Sequence, residues 1–169
     1  MEVTIRSESA EDFDLIDEVI ESAFGQKNEA VLVRTLRETE DYVPELSLVA
    51  IVEEELVGHI LFYPVKVGDD TGLILAPMAV KPPLQKKGIG GKLIREGFKK
   101  AVAQGYDSII LVGHPEYYPK FGFEKASKWS IKLQFEVPDE AFMAIELKED
   151  SLQNRDGVVE LPQPYLDCR

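Results

Sequence analysis

The sequence predicts a mixed α/β fold, and three observations support this prediction. A hydrophobic strand pattern over Leu73 to Val80 is followed by a helical pattern that runs to about Gln104, and then by a short apolar run over Ser108 to Val112. Strand, helix and strand in this order form a βαβ crossover, which we expect to be parallel and right-handed. Three further strand patterns precede the crossover, and two amphipathic helix patterns lie between the first and the second of them.

Length and charge limit what the chain can be. Its 169 residues fit one domain with a full core. We expect a single domain over residues 1–169, with its core at about 3–147 and a C-terminal extension at about 148–169. The net charge of −12 argues against a nucleic-acid partner, because such proteins normally carry a basic face.

Cysteine content and the chain start add further limits. Cys168 is the one cysteine, so neither a disulfide framework nor a cysteine-based metal site is predicted, and we expect no metal. The start of the chain lacks the basic and apolar regions of a signal peptide. No apolar run approaches the ~20 residues that cross a bilayer. These features predict a cytoplasmic protein without a membrane partner.

The N-terminal part reads as one strand and two helices. Val3 to Arg6 predicts a strand, and Ser9 with Asp12 predicts a capping box that begins the first helix. Gly25 predicts the end of this helix, and a second helix is predicted to begin at Asn28.

The central part predicts three strands before the crossover helix. Leu48 to Val52 and Leu56 to Val67 are joined by an acidic turn, and the third strand carries Pro77. Proline cannot donate to a sheet ladder, so Pro77 predicts a bulge or broken pairing. Residues 125 to 147 predict two more strands, and the tail from Asp150 predicts turns or a short extra hairpin.

A glycine-rich segment between strand and helix is the most informative feature. It reads Gln85-Lys86-Lys87-Gly88-Ile89-Gly90-Gly91-Lys92. Such a turn presents free backbone N–H groups at the positive end of a helix dipole, which is a site for phosphate or pyrophosphate. The glycines allow close approach of an anion, and the lysines add positive charge. The alternative is a glycine-rich turn without a ligand.

Two common phosphate-binding templates do not fit this segment. The nucleotide P-loop needs Ser or Thr after Gly91-Lys92, where this chain has Leu93, and it needs a glycine at the position of Lys86. The dinucleotide fingerprint needs its third glycine at Leu93. A nucleotide-binding α/β protein is therefore disfavoured.

A second motif follows the buried strand Ser108 to Val112. It reads Gly113-His114-Pro115-Glu116-Tyr117-Tyr118-Pro119-Lys120-Phe121-Gly122-Phe123 and contains Tyr-x-x-x-Gly-Phe. Together with Q-x-x-G-x-G from Gln85 to Gly90, it makes residues 3 to about 147 resemble the GCN5-related N-acetyltransferase (GNAT) family, which binds acetyl-coenzyme A (acetyl-CoA). The form G-x-P-x-Y-Y-P-x-F-G-F looks closest to the YhbS-like subgroup.

The resemblance implies a fold and a cofactor site. It implies a mixed sheet whose parallel fourth and fifth strands splay apart, with the pantetheine arm of acetyl-CoA paired to Met78-Ala79-Val80. A backbone N–H in that segment would polarise the thioester carbonyl. The pyrophosphate would lie on the loop formed by Gln85, Lys86, Lys87, Gly88, Ile89, Gly90 and Gly91.

The resemblance also implies a catalytic acid. Tyr118 matches the family tyrosine near the coenzyme sulfur, and a tyrosine of reference pKa ≈ 10 stays protonated at neutral pH. The alternative is a tyrosine that only orders the pocket wall. Tyr117 is interpreted as packing.

The general base stays open at this level. The strands from Leu73 to Val80 and from Ser108 to Val112 contain no carboxylate. Glu29, His114 and His59 are candidates, Glu29 because the connection between the first two helices borders the acceptor site in the family. A water relay, or an amine that arrives deprotonated, would also serve.

The leading hypothesis is an N-acetyltransferase that moves acetyl from acetyl-CoA to a primary amine by direct attack on the thioester. The acceptor would be a small-molecule or peptide amine. The alternative is a non-catalytic acyl-CoA-binding or regulatory domain. The resemblance also allows a homodimer, because family members are often dimers.

Overall fold

The computed structural model describes all residues from 1 to 169 and contains nine strands and four α-helices. The strands are β1 Thr4–Ser7, β2 Ser47–Val52, β3 Glu55–Val67, β4 Asp70–Val80, β5 Ser108–Val112, β6 Glu124–Lys125, β7 Ile131–Leu133, β8 Phe142–Glu146 and β9 Gly157–Val159. The helices are α1 Phe13–Phe24, α2 Asn28–Arg37, α3 Ile89–Ala103 and α4 Gln163–Asp167. None of them is both long and apolar enough to cross a bilayer.

Seven strands form one mixed sheet in the order β1-β2-β3-β4-β5-β8-β6. The β4–β5 pair is its parallel pair, and α3 connects these two strands. Pairing is limited to Leu73 with Ile109 and Ile74 with Ile110. Beyond Ile74 the two strands separate, so the predicted mixed α/β fold and the predicted splay are both confirmed.

A bulge in β4 lies where Pro77 predicts it. Ile60 of β3 is opposite Met78, whereas Phe62 is opposite Leu75, so the register shifts by one residue between them. The extra residue falls in the Ala76-Pro77 step, because proline cannot extend the ladder. The bulge comes just after β4 loses its pairing with β5, and it therefore shapes the mouth of the splay.

The helices cover both faces of the sheet. Residues Ile16, Val19 and Leu36 of α1 and α2 belong to one buried cluster, whereas Leu93 and Ile94 of α3 belong to a second one on the other face. Strand β3 contributes alternate residues to the two clusters, as a strand buried on both faces must. The splay opens between these two layers.

The start of the first helix differs from the prediction in one detail. Ser9 N–H donates to Asp12 Oδ2 at 2.8 Å, as half of a capping box does, but Ala10–Asp12 forms a 3₁₀ turn and the α-helix begins at Phe13. Asp12 also accepts two hydrogen bonds from Arg6 of β1, at 2.7 and 3.0 Å. The first turn is therefore tied to the sheet as well as to its own cap.

The C-terminal part corrects two predictions. The predicted strands between 125 and 147 exist as β7 and β8, but only β8 joins the main sheet. The tail forms no hairpin: β9 pairs in parallel with β7, with Ile131 opposite Gly157. Val159 and Tyr165 bury themselves in the core cluster of α1 and α2, so burial of apolar side chains in a distant core determines the path of the tail.

Candidate active site

A cleft of about 1170 Å³ opens where β4 and β5 separate. It is lined by the α1–α2 region, the unpaired part of β4, the glycine loop, the start of α3, the segment after β5 and the C-terminal residues. Its volume lies above the usual ~300–1,000 Å³ of small-molecule pockets. The cleft therefore has room for a long ligand.

The glycine loop presents a run of free donors to this cleft. The backbone N–H groups of the six consecutive residues from Lys86 to Gly91 have no acceptor in the protein, whereas Gln85 N–H and Lys92 N–H are both bonded. Lys86 and Gly88 have positive φ angles of 64° and 88°. Such turns curve successive N–H groups around one point and form an anion-binding concavity at a helix N-terminus.

The three glycines of the loop are required for different reasons. Gly88 needs its positive φ, and nothing lies within 4 Å of the point that a Cβ would occupy, so the space beside it is open. A Cβ on Gly90 would lie 2.9 Å from Tyr117 Oη, and one on Gly91 would lie 3.2 Å from Phe121 Cε1. Gly90 and Gly91 are thus limited by packing, and Gly88 alone borders open space.

Other predicted loop residues differ in what they contact. Gln85 lines the cleft, and its side-chain Nε2 donates to Val80 O at 3.0 Å, which ties the loop to the end of β4. Lys86 and Ile89 line the cleft, but Lys87 does not. Ile89 is 1 % exposed and belongs to the core cluster under α3, so only its backbone is available to a ligand.

The backbone of Met78-Ala79-Val80 alternates between β3 and the splay. Lys81 N–H donates to Val57 O at 2.9 Å, and His59 is opposite Ala79. Because polar groups alternate along a strand, Ala79 directs its N–H and C=O to β3, and Met78 and Val80 direct theirs into the splay. The bond from Gln85 to Val80 O agrees with this orientation.

Tyr118 begins the 3₁₀ turn Tyr118–Phe121 beyond β5 and lines the cleft. Its ring packs edge-on against Tyr117 and Phe123, with centroids 5.1 and 5.9 Å apart. A Cβ on Gly113 would lie 2.5 Å from the Tyr118 ring, so glycine at 113 makes room for it. Burial raises the pKa of Tyr118 to about 12, and no protein group hydrogen-bonds its hydroxyl.

Sequence reasoning missed an aromatic and cationic group beside the loop. Tyr117 and Phe121 pack edge-on at 5.2 Å, and the Arg95 guanidinium lies 5.0 Å from the Phe121 ring centre. Arg95 and Lys120 line the cleft and form no ion pair. The sequence could have indicated Arg95. It follows Gly91 by one helical turn and so lies on the same face of α3 as the glycine loop.

Glu29 and His114 both line the cleft, in different settings. Gln26 Nε2 donates to both Glu29 oxygens, at 3.0 and 3.1 Å, and the Cys168 thiol lies 3.8 Å from Oε2. Burial, and then the nearby Glu29 carboxylate, raise the pKa of the Cys168 thiol. No cation pairs with Glu29. His114 is largely exposed, with Nδ1 3.7 Å from Glu116 Oε1.

His59 lies outside the cleft. It is fully buried, its Nε2 is 2.8 Å from Ser47 Oγ, and its Nδ1 has no partner. Burial lowers its pKa to about 4; Glu8 opposes this shift and Arg37 adds to it, both by less than burial does. Because it does not contact the cleft, we do not retain it as a candidate base.

Comparison with known proteins agrees with this geometry. Residues 14–123 match the model of the Acetyltransferase (GNAT) family. The chain belongs to the GNAT family. It is 40% identical over 130 residues to the uncharacterized N-acetyltransferase YjhQ of Escherichia coli K12, covering 74% of this chain and 72% of YjhQ.

Two solved GNAT structures resemble the whole fold. The GNAT family N-acetyltransferase YhbS from Escherichia coli, in complex with CoA, superposes with a TM-score of 0.91 at 31% identity and covers 97% of this chain and 92% of its own. A GNAT family acetyltransferase from Brucella melitensis, in complex with acetyl-CoA, gives 0.79 at 30% identity and covers 97% and 98%. The predicted GNAT fold and its resemblance to YhbS are confirmed.

The C-terminal residues complete the cleft of this GNAT chain. Tyr165, Cys168 and Arg169 line it, and the Tyr165 hydroxyl donates to Ala76 O at 3.0 Å. The Arg169 guanidinium stacks 3.7 Å from the Phe135 ring centre. No local sequence signal predicts these positions, because the tail reaches the cleft only through contacts with residues far away in the chain.

Proposed function

We propose that the protein is an acetyl-CoA-dependent N-acetyltransferase that acts on a primary amine by direct attack on the thioester. One observation carries the proposal: the free N–H groups of the loop, the unpaired edge of β4 and the Tyr118 hydroxyl all border a single cleft. The CoA and acetyl-CoA complexes of the two similar structures support the choice of ligand.

The residues of the loop fit a pyrophosphate group. The N–H groups from Lys86 to Gly91 would donate to its oxygens, and the open space beside Gly88 leaves room for them. The cations Lys86 and Arg95 line the same end of the cleft and form no ion pair, so their charge is available to an anion. Gln85 would hold the loop in place through Val80 rather than contact the ligand.

The edge of β4 fits the thioester end. Acetyl-CoA supplies an acetyl group on sulfur, and in its transfer a carbon–nitrogen bond forms, the carbon–sulfur bond breaks, the amine loses a proton and the sulfur gains one. Met78 and Val80 direct their N–H groups into the splay, and either would stabilise the negative charge that develops on the carbonyl oxygen. Ala79 would serve the sheet instead, since His59 is its partner on β3.

Tyr118 would act on the departing sulfur. Its pKa of about 12 keeps it protonated at neutral pH. An alkyl thiol has a reference pKa near 8.5, so complete proton transfer from Tyr118 to an unperturbed thiolate would cost on the order of 5 kcal/mol. We therefore assign Tyr118 as a hydrogen-bond donor that stabilises the developing thiolate, with proton transfer following as burial raises the basicity of the sulfur.

The acceptor side would recognise a cationic amine. Glu29 is a carboxylate that no cation neutralises, and Gln26 orients both of its oxygens. A protonated primary amine, on a small molecule or a peptide, supplies the missing charge. Loss of the amine proton would then fall to Glu29 itself, to His114 or to a bound water.

Release of CoA during incubation with acetyl-CoA and a panel of amines tests the proposal, with acetylated product detected by mass spectrometry. We expect thiol release that depends on the amine and a product that carries one acetyl group. Tight CoA binding without transfer to any amine would favour a non-catalytic acyl-CoA-binding domain. Absence of CoA binding by calorimetry would overturn both functions.

A further inference from the structure

Tyr165 connects the C-terminal helix to the mouth of the splay. It is the one buried residue of α4, at 7 % exposure. Its hydroxyl donates to Ala76 O at 3.0 Å, across 89 residues of sequence. Burial raises its pKa well above 10, so it remains a hydrogen-bond donor throughout the neutral range.

At Ala76, strand β4 has no partner strand on the β5 side. Pairing of β4 with β5 ends at Ile74, and the register with β3 shifts between Leu75 and Met78. Ala76 is partly buried, so a carbonyl there that loses its ladder partner needs another donor. The Tyr165 hydroxyl therefore replaces a lost ladder bond in the bulge that immediately precedes Met78.

Tyr165 is itself held from the opposite side. Its ring packs edge-on against Tyr63 of β3, with centroids 6.1 Å apart. This contact is between the two rings, whereas the Tyr63 hydroxyl is 2.5 Å from Thr39 Oγ1, just beyond α2, and does not bond Tyr165. The Tyr165 hydroxyl is thus aimed at Ala76 by a ring whose position the core determines, which is what a precise contact with a strand bulge requires.

We propose that Tyr165 is a positioning residue of the acetyl transfer: by holding the Ala76 carbonyl it sets the path of the β4 bulge, and with it the direction of the Met78 and Val80 N–H groups in the splay. This inference rests on the proposed function for its catalytic part. Its structural part, the conformation of β4 from Ala76 to Val80, stands without any activity.

A matched pair of variants tests the inference. Tyr165→Phe removes the hydroxyl that bonds Ala76, whereas Tyr63→Phe removes a neighbouring buried hydroxyl that bonds Thr39 and not β4. Both keep the aromatic ring, so both should fold and lower the melting temperature by similar amounts. A merely structural role of Tyr165 predicts that the two variants behave alike in every other measurement.

The first readout needs no activity. We expect the Ala79 amide, which is directed to β3, to exchange with deuterium about 10-fold faster in Tyr165→Phe than in wild type, because a bulge released at Ala76 opens the adjacent β3–β4 ladder. In Tyr63→Phe this amide should exchange at the wild-type rate. Equal exchange in the two variants, whether fast or slow, would overturn the inference.

The second readout is kinetic. We expect kcat to fall about 10-fold in Tyr165→Phe and less than about 2-fold in Tyr63→Phe, with CoA affinity within about 3-fold in both, because a small misplacement of a donor weakens transition-state contacts more than binding. Equal kcat values in the variants would overturn the catalytic part. If wild type transfers no acetyl group, the proposed function fails, and the amide exchange still decides whether Tyr165 sets the bulge.

Discussion

Two polar regions of this molecule contrast in how their hydrogen bonds are completed. In the first, the Glu8 carboxylate accepts bonds from Arg37 at 3.0 and 3.1 Å, from Tyr42 at 2.7 Å and from Ser47 at 2.7 Å. In the second, the glycine loop, six successive N–H groups have no acceptor in the protein. A polar region that completes itself stabilises the fold, whereas one that lacks partners is suited to a ligand.

The histidine in the first region is paired at only one of its two ring nitrogens. The Ser47 hydroxyl has one hydrogen and donates it to Glu8, so it must accept from His59 Nε2–H. This assigns the neutral tautomer, with Nδ1 unprotonated and without a partner. His59 is therefore a buried neutral group of the structural network, although by residue type alone it resembles a catalytic base as much as His114 does.

The largest expected effect comes from placing a carboxylate in the glycine loop. Gly88→Asp places a negative charge in the open space where pyrophosphate would lie. Two such charges ~4 Å apart repel by about 4 kcal/mol at the effective dielectric of a protein surface. We therefore expect CoA affinity, measured by calorimetry, to fall about 10³-fold.

Gly88→Asn is the matched control, because it has the same shape and the same tolerance of the positive φ but no charge. It should weaken CoA binding less than about 10-fold. If the Asp and Asn variants bind CoA equally well, the loop does not hold the pyrophosphate.

The next-largest effect is expected when acid protonates His59, which is bonded to the Glu8 network through Ser47. His59 has a pKa of about 4 in the fold, against 6.5 when unperturbed, because burial disfavours its charge. Because the folded protein holds His59 neutral, acid reduces the free energy of unfolding. The contribution is full above pH 6.5 and is lost as the pH falls through about 4. It amounts to about 3 kcal/mol. We expect wild type to lose that much more free energy of unfolding than His59→Gln between pH 7 and pH 4.

Urea unfolding of wild type and His59→Gln across this pH range measures the difference in their free energies of unfolding. All other titrating groups are present in both proteins, so their effects cancel. The Gln side chain can still donate to Ser47, so the network keeps its bond. Parallel pH profiles for the two proteins would show that His59 is not held neutral by the fold.

Local patterns explain why much of the fold could be predicted. The helical faces, the strand runs and the Pro77 bulge each depend on neighbours within a few residues, and the glycine loop carries its dihedral requirement in Gly88 itself. The pairing of β7 with β9 and the bond from Tyr165 to Ala76 join segments far apart in the chain. Such contacts are selected by burial in the folded core and leave no local pattern.

The candidate site, like the fold, could be predicted only where it consists of continuous stretches of sequence. The motifs indicated the loop and Tyr118, because both are continuous stretches of sequence. They did not distinguish Glu29, which lines the cleft, from His59, which does not. That distinction depends on which hydrogen-bond partners the fold brings together, and a residue's type carries no information about them.

A smaller effect is expected when the free Tyr118 hydroxyl in the cleft is removed. Tyr118→Phe removes the hydroxyl but keeps the ring contacts with Tyr117 and Phe123. A hydrogen bond to a charged group contributes ~1.5–3 kcal/mol, so kcat should fall about 10- to 100-fold while CoA affinity changes less than about 2-fold. Tyr106 does not line the cleft, so Tyr106→Phe is the control for loss of a tyrosine hydroxyl. Reduced CoA affinity with kcat intact would assign Tyr118 to the pocket wall.

The smallest effect is expected at Glu29. This carboxylate has protein partners, because Gln26 donates to both of its oxygens, and lacks only a cation. Glu29→Gln keeps the size of the side chain and removes its charge. A partly exposed ion pair is worth ~1 kcal/mol, so KM for the amine acceptor should rise about 5-fold, with acetyl-CoA affinity within about 2-fold.

Glu18→Gln, an exposed α1 residue without an ion pair, makes the same charge change away from the cleft and should leave KM unchanged. The pH–rate profile separates two roles of Glu29: a base would move its acidic limb, whereas recognition of the ammonium would change KM alone. Wild-type values of both parameters across pH would remove Glu29 from the acceptor site. His114 or a bound water would then be the remaining route for the amine proton, and the negative charge of Glu29 would serve only the positive end of α2.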